Sequence, residues 1–176
     1  MVKIAKLSGY IVFFILAFMY FTPKVALYYY GETRLKEQGV IISQESAIDN
    51  GLTLSIKDAS LSFKAIESAN IKDLNIAIFG IFNKISLKDI KLASTASDFL
   101  PTDIKSVDVS YALYDPLHVS ANAEGDFGEA ELDIDLLDRK LFLILKPSKV
   151  MSKDYRSTLR NLRKSKDGGY EYAKAF

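Results

Sequence analysis

The sequence predicts a mainly β protein: an N-terminal transmembrane helix, then a curved antiparallel β-sheet of long, bulged strands bent into a trough, with one or two accessory helices. Three observations carry this expectation. Residues 7–23 hold no charged side chain, which is the short end of the length an α-helix needs to cross a bilayer. From Gly51 to about Lys146 apolar and polar residues mostly alternate, the period of a half-buried strand. Finally, one faulted string recurs as Ile56-Lys-Asp-Ala-Ser-Leu61, Ile71-Lys-Asp-Leu-Asn-Ile76, Leu87-Lys-Asp-Ile-Lys-Leu92 and Ile104-Lys-Ser-Val-Asp-Val109, at offsets of 15, 16 and 17 residues.

The N-terminal run begins after Lys3 and Lys6 and includes Tyr10–Phe21. A buried core helix would need polar punctuation, and a cleaved signal peptide would need small residues after the apolar run. Here the run ends in Phe18-Met-Tyr-Phe-Thr-Pro23, which favours an uncleaved anchor. Lys3 and Lys6 place the amino terminus in the cytoplasm by the positive-inside rule. Tyr20 and Tyr28–Tyr30 suit an interfacial aromatic belt. Pro23 would kink the helix, and Lys24 would snorkel toward headgroups. The expected division is 1–6 cytoplasmic, 7–30 anchor with its interfacial extension, 31–50 juxtamembrane helix and linker, and 51–176 a β-rich domain outside the cytoplasm.

Pro23–Gln38 is helix-compatible, and Gly39 is placed to end it. Val40–Ile42 is a short apolar run, and the polar stretch Ser43–Asn50 reads as a loop. In the repeats that follow, Leu52, Leu54, Ile56, Ala59, Leu61 and Phe63 share one face only if Lys57 and Asp58 both stay in solvent. A β-bulge at each Lys-Asp restores the phase, because an extra residue in one strand shifts its parity. The alternative, Lys-Asp as a hairpin turn, uses a poor turn pair. The same parity turns Leu74, Ile76 and Ile78, then Leu87, Ile90 and Leu92, then Val107, Val109 and Tyr111 to that face. Together with Leu52, Leu54, Ile56, Leu61 and Phe63 these are the candidate apolar groove.

Further strands are expected at Leu117–Phe127, Glu129–Leu136 and Leu141–Leu145, with a turn at Leu137–Lys140. Lys149–Lys164 has helical texture, with Met151, Tyr155, Leu159 and Leu162 on one face. Its other face carries Lys153, Arg156, Arg160 and Arg163, the candidate basic contact helix. That helix would lie on a membrane surface, dock on the acidic strand or cover the sheet. Gly168-Gly169 ends it before a last strand, Tyr170–Phe176.

Composition narrows function. At 49% hydrophobic and 26% charged, the chain reads as an ordinary folded protein. Its 23 basic and 22 acidic residues leave a net charge of +1, which removes the electrostatic case for nucleic acid. The absence of cysteine excludes disulfides and thiolate chemistry and is compatible with an oxidising compartment. His118 is the one histidine, so no two-histidine metal site can form. Gly125-Asp-Phe-Gly128 lacks every companion of the kinase motif it spells. From Val107 to Asp138 there are nine carboxylates and no Lys or Arg. That run is either a solvated sheet face or a calcium-binding one, without the spacing of a calcium loop. No enzyme, cofactor or metal is expected.

The layout resembles the type II secretion protein N family, and is similar in texture to short AsmA-like periplasmic proteins. The resemblance rests on the anchor, on a helix ending in Gly39-Val-Ile-Ile-Ser43, and on Gly51-Leu-Thr-Leu-Ser-Ile-Lys-Asp58. It extends through the Leu-Lys-Asp-Ile-Lys-Leu strands, the Gly-Asp-Phe-Gly segment, Leu145-Lys-Pro-Ser148 and the late Asp-Gly-Gly-Tyr. It implies a single-pass protein of the bacterial inner membrane with a periplasmic β domain and no catalytic residues. Its partners would be the membrane and envelope or secretion-system proteins, in an accessory role. The AsmA-like alternative implies phospholipid held along the apolar face of the sheet.

Overall fold

The computed structural model describes residues 2–78, 82–165 and 168–176. Two helices, α1 (Val2–Phe21) and α2 (Lys24–Glu37), precede the short strands β1 (Val40–Ser43) and β2 (Ser46–Asp49). The long strands follow: β3 (Thr53–Phe63), β4 (Ile66–Ile78), β5 (Phe82–Leu92), β6 (Asp103–Ala112), β7 (Asp115–Gly125), β8 (Gly128–Asp135) and β9 (Lys140–Pro147). The chain closes with α3 (Lys149–Asp154), α4 (Arg156–Leu159), β10 (Arg163–Lys164) and β11 (Tyr170–Ala175).

All eleven strands form one open antiparallel sheet in the order β1-β3-β4-β5-β6-β7-β8-β9-β11-β10, with β2 also paired to β3. The mainly β, single-sheet architecture expected from the alternation is therefore present. The sheet starts at Val40, ahead of Gly51, because β1 pairs with Ser60–Phe63 and β2 with Leu54–Lys57. Ser43–Asn50, expected as a loop, contains β2. Four residues are too short to show a period, and Gln44 turns the chain between the two strands at φ 67.

The phase step lies where the sequence places it, in mid-strand. On β3 and β5 a single aspartate carries it in the left-handed region, Asp58 at φ 54 and Asp89 at φ 52. Aspartate tolerates this conformation better than most residues. The register explains why neighbouring strands stay matched. Lys57 pairs with Asp73 and Ala59 with Ile71; Asp73 pairs with Lys88 and Ile71 with Ile90; Lys88 pairs with Ser106 and Ile90 with Ile104. Each strand steps at the same rung, so these three pairs keep their count rather than setting two residues against one. A true two-against-one shift occurs next door, where Ile104 pairs with Gly125 but Ser106 with Glu124. Gly125 permits that squeeze, since a Cβ there would meet Asp103 O at 2.8 Å and Ile104 Cα at 2.9 Å.

Shared parity builds one apolar face. Ile56, Leu74, Leu87, Val107, Ala123, Ala130, Leu145 and Tyr170 are successive cross-strand partners. Leu54, Ile76, Ile85, Val109, Ala121, Leu132, Leu143 and Tyr172 form the parallel row. Past the step, Ala59, Ile71, Ile90 and Ile104 continue on the same side. Two clusters bury parts of this face. Leu54, Ile56, Ala59, Ala69, Ile71, Leu74 and Ile90 pack with Val25 and Tyr28 of α2. Phe127 and Leu145 pack with Met151 and Leu159, and Ile104 touches both clusters. Tyr28, expected in an aromatic belt, thus lies against the sheet.

The expected helix over Lys149–Lys164 is two short helices and a turn. Ser148 caps α3 by accepting from Met151 N at 3.1 Å, an ordinary N-cap. The helix breaks at Tyr155, φ −116 and ψ 35, and the chain then becomes β10. The apolar face survives the break, since Met151, Tyr155, Leu159 and Leu162 all belong to the second cluster. Thr158 also donates to Phe99 O at 2.6 Å, tying α4 to the β5–β6 connection.

The left-handed step makes a stability prediction. Asp89→Val places a β-branched residue at φ 52 and should cost about 1–2 kcal/mol, whereas Asp89→Gly should be close to neutral. Thermal unfolding of the full chain in detergent compares the two.

Candidate functional site

The candidate groove residues differ in how far they are covered. Leu54, Ile56, Leu74 and Ile90 are buried, and Leu61, Ile76, Leu87, Leu92 and Val107 pack against them. These nine are core. Val109 and Tyr111 are half-buried on the uncovered part of the face. Leu52 and Phe63, expected inward, are exposed. Leu52 lies in the turn before β3 begins, and Phe63 is the last residue before the β3–β4 turn. The side chain of Ile78 lies outside the described residues. The open part of the apolar face is therefore Ile85, Val109, Tyr111, Leu132 and Leu143, between the two covered ends.

The end of the sheet at which β3 starts is joined to α1 by one buried side chain. Lys24 is 2% exposed, where snorkelling had been expected. Its ammonium donates to the carbonyls of Met19 (2.9 Å), Thr22 (3.1 Å) and Tyr20 (3.5 Å), closing the free end of α1. It also lies 3.7 Å from Asp49 Oδ1, and the Lys24 backbone N–H donates to Asp49 Oδ2 at 3.2 Å. Asp49 accepts from Gly51 N at 2.8 Å. That bond first, and then Lys24, hold its carboxyl below the usual aspartate range. Tyr20 packs on Gly51 so closely that a Cβ there would lie 2.3 Å from the ring. The signals missed in the sequence were a lone lysine just after the apolar run and a short Asp-Asn-Gly turn 25 residues on.

Charges form a second pattern, on the opposite face. Antiparallel neighbours each carrying Lys-Asp set lysine against aspartate on both sides of the step. Asp58, Lys72, Asp89 and Lys105 occupy one such row by register. Lys105 then bonds Glu124 at 2.9 Å, Glu124 faces Glu129, and Lys146 reaches Glu129 at 3.9 Å and Glu131 at 3.5 Å. The row borders a groove of about 650 Å³ lined by Lys72, Asp89, Lys91, Asp103, Lys105 and Glu124 among others. Of the candidate groove residues, Ile90 alone borders it. Within the acidic run, Asp108, Glu124, Glu129 and Glu131 are thus paired with lysines of adjoining strands. Among the described residues no group of three or more His, Cys, Asp or Glu side chains is arranged to hold a metal ion.

His118 is exposed between two carboxylates, with Nδ1 3.0 Å from Asp115 and Nε2 3.5 Å from Asp135. Both ring nitrogens are engaged, so the imidazolium form is favoured, and Asp115 chiefly raises its pKa above the usual 6.5. Lys153, Arg156, Arg160 and Arg163 are exposed. Lys153, Arg156 and Arg160 are on or beside α3 and α4, which follow the far end of β9, opposite the anchor. Arg163 is in β10 instead.

Among the described residues one helix, Lys3–Phe21, is long and apolar enough to cross a membrane, and none of it is buried against the rest of the protein. Together with the sheet, it defines the class: a mainly β, single-sheet protein with one N-terminal apolar helix. Comparison with known protein families, curated proteins and solved structures gives no match.

Two measurements follow. Lys24→Met removes the cap of α1 and the partner of Asp49 and should cost about 2 kcal/mol, read as a lower thermal midpoint of the full chain. His118 should titrate above pH 6.5 by NMR, and Asp115→Asn should bring its midpoint down. Because the folded pKa is raised, this pair stabilises below the ordinary histidine value and loses its effect as pH rises through the folded one. His118→Gln should abolish that small pH dependence of the thermal midpoint.

Proposed function

We propose that this is a non-enzymatic, single-pass protein of the bacterial inner membrane, with its amino terminus in the cytoplasm and its sheet in the periplasm. Its role is that of an accessory in envelope transport, as resemblance to the type II secretion protein N family implies, and it acts by protein–protein contact. The observation that supports contact is the free edge of β11. The strand β10 pairs only with Tyr170 and Glu171, which leaves Tyr172–Ala175 without a neighbour on that side among the described residues. An extended segment of an envelope protein can add there as a further strand.

Phospholipid binding is the second reading, favoured by the open stretch of apolar face. Ile85 is 38% exposed, and Val109, Tyr111, Leu132 and Leu143 are half-buried. One of the two unbroken apolar rows, through Ile85, Val109, Leu132 and Leu143, crosses this stretch, a surface suited to acyl chains.

The chain has no cysteine, so a cysteine at exposed Ser97 gives a clean test of orientation. A membrane-impermeant maleimide should label it from the periplasmic side of intact cells, and labelling only after lysis overturns the topology. A photo-cross-linking residue at Tyr172 should capture an envelope protein that one at Ser120 does not; equal capture, or none, counts against strand addition. Native mass spectrometry of the full chain separates the readings, since retained phospholipid favours the second.

A further inference from the structure

We propose that the turns at the anchor end of the sheet form a second, shallow contact with the lipid bilayer, so that the sheet stands end-on upon the membrane. The inference rests on the reading of α1 as a membrane anchor. Tyr20 on Gly51 and Lys24 on Asp49 fix where α1 leaves the domain, at the start of β3. The β6–β7 and β8–β9 turns lie at that same end of the antiparallel sheet.

The β6–β7 turn is a two-residue hairpin, since Ala112 pairs with Asp115, and its two tip residues are Leu113 and Tyr114. Turn positions normally take Gly, Asn or Asp, yet Tyr114 is 78% exposed. At the β8–β9 turn Leu137 is 72% exposed. Phe176 is exposed beside it, its N–H donating to Arg139 O at 3.0 Å. At the opposite end the corresponding tips are Lys64-Ala65 and Asp126-Phe127, with Phe127 buried in the second cluster. That end also exposes Phe63, Ile66 and Phe99, but it lies the whole length of β3, 11 residues, from the point where α1 leaves the domain.

Charge at the anchor end does not oppose contact. Asp115 pairs with His118, Asp138 pairs with Lys140 at 2.8 Å, and Asp135 accepts from the N–H groups of Leu137 and Asp138. The Asp135 bonds also fix the turn that presents Leu137. Tyrosine and leucine at such tips suit the interfacial zone, where an aromatic ring keeps its hydroxyl among the headgroups. With strands about 4.8 Å apart, the tip at Leu137 lies roughly 25 Å from β3. A contact there would oppose tilting of the sheet about its single anchor.

The chain has no tryptophan, so single Trp probes report on one place each. Full-length Tyr114→Trp, Leu137→Trp, Ile66→Trp and Phe14→Trp would be reconstituted in phosphatidylcholine–phosphatidylglycerol vesicles with brominated acyl chains. Tyr114→Trp and Leu137→Trp should lose fluorescence and shift to the blue relative to unbrominated vesicles and detergent, with Phe14→Trp strongly quenched and Ile66→Trp unaffected. Quenching at Phe14 without quenching at Tyr114 and Leu137 overturns the end-on contact and leaves the anchor standing. Equal quenching at Ile66 overturns the end-on arrangement in favour of a sheet lying flat. No quenching at Phe14 refutes the anchor, and the inference falls with it.

Discussion

Side-chain parity is the constraint on which the rest of this structure depends. A strand that crosses the sheet with one fixed phase turns all its apolar residues to one face. Here the apolar residues before and after each Lys-Asp have opposite phase, so each strand that carries the string must step once. Had one strand stepped alone, its neighbours would have lost register. Because β3, β4, β5 and β6 step at the same rung, Ile56 and Ala59, Leu74 and Ile71, and Leu87 and Ile90 all stay on one side. The two apolar rows then run through to Leu145, Tyr170, Leu143 and Tyr172.

The same step organises charge. In antiparallel neighbours, a repeated Lys-Asp dipeptide necessarily sets each lysine against an aspartate. Like charges placed directly opposite one another destabilise a sheet, so this repeat is one of few that can recur on every strand. The fourth copy reads Lys105-Ser106 and lacks the aspartate. There the register shifts, Gly125 gives way, and Lys105 turns to Glu124 instead. Its carboxylate comes from β7, within the acidic run, and Lys146 supplies the compensating charge on the far side of Glu129.

The sheet was legible in the sequence because its strands are long and its fault is periodic. Leu54, Ile56, Leu74 and Ile90 could be assigned to one face from parity alone, and all four are buried. What parity cannot supply is cover. Whether a residue on that face becomes core or stays open depends on where α2, α3 and α4 land, and helices reach it through loops whose course has no period. This is why Leu54 and Val109, equivalent in pattern, differ in burial. The mechanism of the step was hidden for a related reason: bulge and shared step give the same pattern in any one strand, and only the pairing of two strands separates them. The short strands β1, β2 and β10 were missed because two to four residues cannot display an alternation.

Lys24 shows how a charge acquires a role that its neighbourhood in sequence conceals. Beside an apolar run a lysine ordinarily extends its ammonium to water or headgroups. In this fold three carbonyls at the end of α1 and the carboxylate of Asp49 converge on that ammonium, and a buried cation is tolerable only when so paired. The pairing is directional: it joins the last turn of α1 to the β2–β3 turn and nowhere else. A helix that is unburied along its length would otherwise meet the sheet through the short Thr22-Pro23 link, free to swing. Fixed by Lys24, the end of the sheet nearest α1 becomes a defined surface, and the tips at Tyr114 and Leu137 acquire a direction in which to point.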